Sequence, residues 1–268
     1  MKIGSQAHRS TAISAANAHT IVVRGHDLVG ELIGSIDFTE HFWLLVTGSL
    51  PSKAQRRILD ATLVAIAEHG LVPSVQVSRM TLAAAPEALQ GAVAAGILGC
   101  GSVVLGSSEA AGRFFAEIAA RGETGISLPE AAAQLIGEYR AVKRAIPGYG
   151  HPLHKGADPR AQRLIAIARE AGTAGRSIEI AETVERLIPQ LVGKALALNV
   201  SAAIPAVLLD AGYPLGALKG VPILARTAGL IAHLLEEQTR PIGFVMSHAA
   251  EGAISYDGEA PAGFTPGE

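Results

Sequence analysis

Along most of the chain, apolar residues return every three or four positions, set among Ala, Leu and Glu. That spacing predicts helices. Ser52 to Gln55 has capping-box spacing just after Pro51. Ile58, Leu59, Leu63 and Ile66 then fall toward one side, and Gly70 is placed to end the helix. Ser127 to Glu130 forms a second capping box and opens a helix running to about Arg140. Residues 161–170 and 180–190 read as amphipathic helices. Pro222 to Gln238 reads as a long apolar helix with its proline near the start, where proline is tolerated. The stretch 146–160, IPGYGHPLHKGADPR, holds three Gly and three Pro and reads as a loop. From Gly258 onward the sequence reads as a frayed tail. No internal repeat, dinucleotide fingerprint or phosphate loop is present. An all-α fold is the expectation.

Composition narrows the function. The 268 residues are 49% hydrophobic and 17% charged, enough to bury a sizeable core. The formal net charge is −2 and the pI about 6.5, which points away from nucleic acid and anionic membranes as partners. Cys100 is the one cysteine, so an intrachain disulfide and a multi-thiolate metal site are excluded. The first twenty residues lack the continuous apolar core of a signal peptide, and a cytoplasmic address is expected. Residues 88–108 are uncharged and long enough to span a bilayer. Their Gly- and Ala-rich character instead predicts a buried helix followed by a Gly/Ser loop.

The candidate chemistry is cationic. His151 sits in Gly-Tyr-Gly-His-Pro, a loop whose glycines let backbone approach a ligand, and a histidine there suits acid–base work. Arg160 follows nine residues later in Asp-Pro-Arg and can clamp a carboxylate in a bidentate fork. His69 lies at a helix end, where a dipole contact and a ligand role are equally open. Arg226 stands in an apolar helix; if buried it needs a salt-bridge partner or an anion. Arg240 before Pro241 is either an anion clamp or a solvated charge. With no metal motif and no nucleophile signature, this set suits a multiply anionic substrate handled by acid–base chemistry, without a cofactor.

These segments resemble the citrate synthase family, including the citryl-CoA lyase module of ATP-citrate lyase. IVVRGHDLVGELIGSIDFTEHFWLLVTGSLPS is similar to the family's N-terminal Arg-Gly-Tyr-Asp and Leu-Leu-x-Gly-x-Leu-Pro region, and AEHGLVPSVQVSR to the segment with its first substrate histidine. GYGHPLHKGADPRA resembles its Gly-x-Gly-His…Asp-Pro-Arg signature. LALNVSAAIPAVLLDAGYP stands in the place of its Asn-Val-Asp segment, and ILARTAGLIAHLLEE resembles its Ala-Arg-Thr-x-Gly helix. The resemblance implies a large helical domain of residues 1–110 and 222–268, with a small helical domain of residues 111–221 inserted in it. It also implies a homodimer or higher homo-oligomer. By position it makes His69, Arg160, Arg226 and Arg240 carboxylate-binding, and His151 the group at the reacting carbon. It turns Pro147, Gly148, Tyr149, Gly150 and Lys155 toward coenzyme A, which enters as part of the substrate.

Two positions depart from the pattern. Val104 or Leu105 stands where synthases carry a histidine, a departure the lyase module shares. Ser201 follows Asn199 and Val200 where both subfamilies carry an aspartate that moves the proton on the acetyl carbon. The resemblance therefore implies citryl-CoA lyase-type cleavage to acetyl-CoA and oxaloacetate, with His151 as base and Ser201 holding a water. Condensation as in citrate synthase, or cleavage of a related 3-hydroxy-3-carboxyacyl-CoA, is the alternative. Ser201 also leaves open a non-catalytic protein that binds coenzyme A and carboxylates.

Overall fold

The computed structural model describes residues 10–101, 105–150 and 156–264. Eleven α-helices dominate the described residues, so the fold is all-α as expected. Three short strands precede them: β1 (Ser14–Ala16), β2 (Ile21–Val23) and β3 (His26–Asp27). They form an antiparallel sheet in chain order, with Ser14 opposite Val23 and Val22 opposite Asp27. Arg24 and Gly25, at φ 50° and 88°, make the two-residue turn between β2 and β3; this left-handed pair follows the natural strand twist. Strands of two or three residues leave almost no alternation to read.

The chain divides into two compact units, Met1–Ala61 with Ala111–Leu218, and Thr62–Ala110 with Lys219–Glu268. Residues 1–61 group with 111–218, and side chains show why. Trp43 of α1 (Phe38–Thr47) packs edge-on against Tyr213, ring centroids 5.3 Å apart. Gln55, near the start of α2 (Lys53–Ala67), donates from Nε2 to the Ala211 carbonyl at 2.8 Å. Arg57 pairs with Glu170. That ion pair is half-exposed and worth about 0–1 kcal/mol. The ring pair, worth about 0.5–1.5 kcal/mol beyond its buried area, and the Gln55 bond at about 1 kcal/mol therefore carry more of the attachment.

The rest of the first unit is α5 (Gly106–Gly122, most of it), α6 (Leu128–Ala141), α7 (Pro159–Glu170), α8 (Arg176–Val192) and α9 (Val200–Asp210). Helix α8 packs on α6 and α9, and α7 on α9. Phe114, Phe115, Ile118, Leu135, Ile136, Ile180 and Val207 fill the core. Helix α8 begins four residues before the expected 180. The Asp210 carboxylate, from the far end of α9, accepts the amides of Gly175, Ser177 and Ile178 and so caps α8 from a distance.

The capping boxes are realised unequally. Ser52 and Gln55 exchange both bonds, Gln55 Oε1 accepting from Ser52 N while its amide nitrogen reaches Ala211. At Ser127 the hydroxyl accepts from Glu130 N. The buried stripe of α2 is Ile58, Leu59, Thr62 and Ile66; Leu63 is only half-buried, because the helical repeat gives its place to Thr62.

The second unit is built from α3 (Pro73–Ala84), α4 (Leu89–Leu98), α10 (Gly220–Thr239) and α11 (Gly243–Ala253). Helix α3 packs on α4, α10 and α11, and α10 also packs on α4. The uncharged stretch 88–108 contains α4, ten residues long, which is too short to cross a bilayer. Leu215–Thr239 is apolar and long enough by composition, yet α10 buries Arg226 and Glu237 in its stripe.

Gly96 sets how closely α4 approaches α3 and α10. A Cβ there would lie 2.7 Å from the Ser74 carbonyl oxygen and 2.8 Å from Leu230 Cδ1. Gly96→Ala gains about 1 kcal/mol of helix propensity, but a backbone carbonyl cannot rotate away from the new methyl. Urea unfolding is expected to show a net destabilisation of about 1–3 kcal/mol. An unchanged midpoint would mean the helices are less closely packed.

Candidate functional site

The expected site residues fall on both units. In the first, the loop before α7 is stitched to the start of α9. Gly150 N donates to Ala197 O at 2.8 Å and Asn199 N to Gly148 O at 3.0 Å, forming a single bridge at Tyr149 and Leu198. Asn199 Nδ2 reaches Gly150 O at 2.6 Å, while its Oδ1 caps α9 by accepting from Ser201 N. Gly148, at φ +86°, has no alternative residue. A Cβ there would lie 2.5 Å from Ala202 Cβ and 2.9 Å from Ala202 N. Tyr149 is buried and donates to Ala181 O at 2.8 Å. Its hydroxyl is thus committed to α8, and burial pushes its pKa well up. Gly148 is buried and Gly150 half-buried, with backbone groups committed to Asn199 and Ala197. His151 and Lys155 lie outside the described residues.

Asp158 organises this cluster. It is 1% exposed and accepts four hydrogen bonds, from Arg160 N, Nε and Nη2 and from Val200 N, at 2.9–3.1 Å. Burial would raise its pKa. The Arg160 guanidinium and the two amides outweigh that and hold the carboxyl below its ordinary value. Arg160 is therefore present as a fixed cation, gripped on one edge, a few residues along the chain from the Gly-Tyr-Gly loop. Ser201 sits half-buried in the first turn of α9, beside the amide that Asp158 holds. Asp158 and Asn199 were not singled out from the sequence. Asp before a proline at the first helical position is a legible cap signal.

In the second unit the central fact is Arg226. It is 4% exposed, and its Nε and Nη1 are buried with no hydrogen-bond partner among the described residues. An uncompensated guanidinium at such depth costs several kcal/mol. A substrate carboxylate would remove that cost. Cys100 is close enough to feel the charge: burial pushes its thiol up while Arg226 pulls it down. Arg79 shows what a satisfied arginine looks like here. It is 2% exposed, and donates to Glu237 at 2.6 Å, Glu236 at 2.8 Å and the Arg240 carbonyl at 2.9 Å. No motif in the sequence singles it out. It is the one formal charge between Glu68 and Glu87, which is the signal that was available.

His69 lies in the turn after α2, and that turn rests on α10. A Cβ on Gly229 would collide with the Ala67 carbonyl and approach Glu68. Glu68 accepts from Gly70 N and lies 2.9 Å from His233 Nε2. Arg226, Gly229 and His233 share one face of α10 by helical spacing. The turn holding His69 is thus seated one and two turns along from Arg226. Arg240 ends α10; its side chain is exposed and its carbonyl holds Arg79. Leu105, one of the two positions expected to stand in place of the synthase histidine, has φ +68°, an uncommon backbone state for a bulky residue. No cluster of His, Cys, Asp and Glu among the described residues is suited to a metal.

Comparison with known proteins gives consistent matches. The family model described as citrate synthase, C-terminal domain, matches residues 6–243. A citrate/2-methylcitrate synthase of Bacillus subtilis (strain 168) is 28% identical over 209 residues, 76% of this chain and 53% of that one. A citrate synthase of Deinococcus radiodurans is 28% identical over 231 residues, 85% of this chain and 58% of that one. The chain thus spans a little over half the length of these curated relatives. A citryl-CoA lyase from Hydrogenobacter thermophilus superposes with TM-score 0.84 at 33% identity, covering 96% of this chain and 97% of its own. An ATP citrate lyase from Methanosaeta concilii, solved with (3S)-citryl-CoA, gives TM-score 0.73 at 23% identity and shares the fold over 96% of this chain and 43% of its own.

The two buried arginines should respond in opposite ways to the same change. Arg79→Met leaves Glu237 buried without its cation and is expected to destabilise by about 3–5 kcal/mol. Arg226→Met removes an unpaired charge and is expected to leave stability unchanged or raise it. Urea unfolding of both variants checks this. Equal losses would mean that Arg226 is a structural ion pair.

Proposed function

Because the chain belongs to the citrate synthase family, we propose that it cleaves citryl-CoA to acetyl-CoA and oxaloacetate. The observation that carries this reading is Arg226, a buried guanidinium with two nitrogens in want of an anion. The whole-length likeness to a citryl-CoA lyase supports the choice of direction. So does the lack of a histidine at Val104 and Leu105.

In this mechanism His151 takes the proton of the tertiary hydroxyl. The oxygen becomes the ketone of oxaloacetate and the adjacent C–C bond breaks. Its electron pair passes to the thioester as the enolate of acetyl-CoA. Arg226 and His69 hold substrate carboxylate. Arg160, with Nε and Nη2 committed to Asp158, contributes through Nη1, and Arg240 supplies a further cation. Backbone of Pro147 to Gly150, with Lys155, faces coenzyme A. A water on Ser201 protonates the enolate carbon, and the hydroxide left behind takes back the proton that His151 drew from the hydroxyl, so base and water both return to their starting forms. Positioning by fixed cations supplies much of the rate. No cofactor is required. The working form is taken as a cytoplasmic homodimer or larger homo-oligomer acting on small molecules, without nucleic acid or membrane. Exposed Ile231, Leu235, Phe244 and Val245 on α10 and α11 support self-association.

Ser201 favours one other reading, a protein that binds coenzyme A and carboxylates without turnover. A hydroxyl is no acid or base near neutrality, and general acid–base help is worth about 10²- to 10⁴-fold. Incubation with citryl-CoA, with oxaloacetate coupled to malate dehydrogenase, separates the two. NADH loss is expected, abolished in His151→Ala and accelerated about 10²-fold or more in Ser201→Asp. Binding without NADH loss in either wild type or Ser201→Asp would establish the second reading.

A further inference from the structure

We propose that His233 is a positioning residue: in a single tautomer it holds Glu68, and through Glu68 the turn that carries His69. The inference rests on the carboxylate-binding role proposed for His69.

The geometry starts from Arg79. A guanidinium has five N–H donors and no acceptor. That of Arg79 is fixed on three sides, by Glu237, Glu236 and the Arg240 carbonyl. Its Nη1 also lies 3.5 Å from His233 Nδ1. A protonated Nδ1 would set one donor against another, so Nδ1 faces Arg79 with its lone pair. The imidazole proton is then on Nε2, which points at Glu68 Oε2 at 2.9 Å. Tautomers follow from such networks, and here Arg79 decides it. His233 is the more enclosed partner, with 15% of its side chain exposed against 53% for Glu68.

Glu68 passes the constraint on. Burial would raise its pKa, but the His233 contact and the Gly70 amide outweigh this and hold the carboxyl below its ordinary value. One oxygen is on His233 and the other on Gly70 N, so the carboxylate spans the turn with His69 between its two anchors. Gly70, at φ +69°, lets the chain reverse there. Gly229 lets the turn lie directly on α10. Among the described residues, the charged groups near the His233 ring are Glu68 from the turn, Arg79 from α3, and Glu236 and Glu237 from α10 itself. Helix α4, which also packs on α10, carries none.

The test uses the full chain labelled with 15N-histidine. Two-bond 15N–1H correlation at neutral pH is expected to show the His233 signal, identified by its loss in His233→Gln, as the neutral Nε2–H form. A neutral Nδ1–H form or an imidazolium overturns the proposal. Glutamine can donate to Glu68 and accept from Arg79, whereas leucine can do neither. The His69 ring signals are therefore expected to shift in His233→Leu and to stay near wild-type values in His233→Gln. Unmoved signals in the leucine variant, or equal shifts in both, overturn it. In turnover, His233→Leu is expected to raise KM for citryl-CoA about tenfold with kcat within about threefold, and the glutamine variant to restore KM. If the wild type does not turn over citryl-CoA, the proposed function falls. The tautomer and the His69 signals still decide the role of His233, and they do so in the glutamine variant even if the leucine variant does not fold.

Discussion

A guanidinium taken out of water has to be met by negative charge, and the second unit meets that demand for one of its two buried arginines. Arg79 is met from within the chain, by Glu236, Glu237 and a carbonyl. Both carboxylates come from the last turn of α10, so the pairing also fixes α3 against that helix. Glu237 in turn accepts the amides of Ile242 and Gly243 and thereby sets the start of α11. Arg226 lies three turns earlier on α10, and its Nε and Nη1 have no such arrangement among the described residues. The same helix therefore carries a closed charge site and an open one.

The first unit depends on the same constraint with the signs reversed. Asp158 is a buried carboxylate, and its four donors come from two helices. Removing it would loosen the start of α7, release Arg160 and free the amide beside Ser201 together. The glycine loop before α7 is tied to the same place through Asn199. One buried anion thus ties Arg160 to the first turn of α9, and Asn199 ties the backbone of Gly148 and Gly150 to the same turn. The side chain at 201 is not part of the bonds that cap α9, which run through Asn199 and Asp158.

Much of this was legible in the sequence. The Ser52 and Ser127 boxes, the long apolar helix and the glycine loop rest on local spacing, and local spacing is what a sequence displays. Arg226 was legible as a question, since a lone arginine in an apolar helix is either paired or waiting for an anion; in the structure its Nε and Nη1 have no partner among the described residues. What stayed hidden depends on distant partners. Arg79 and Glu237 are 158 positions apart. Asp210 caps α8 from 32 to 35 positions away. Residues 1–61 join 111–218 through Trp43, Tyr213 and Gln55, none of which carries a motif. His233 was passed over because a histidine on a helix is bland until its two ring nitrogens have named neighbours.

The most direct measurement is calorimetric titration of citrate into the wild-type protein and into Arg226→Met at one ionic strength. A charge-assisted hydrogen bond is worth about 1.5–3 kcal/mol, so citrate is expected to bind the wild type, with a Kd weaker by about 10- to 150-fold in the folded variant. Equal affinity in the two proteins would contradict it, and would mean that Arg226 is buried for some reason other than holding a carboxylate.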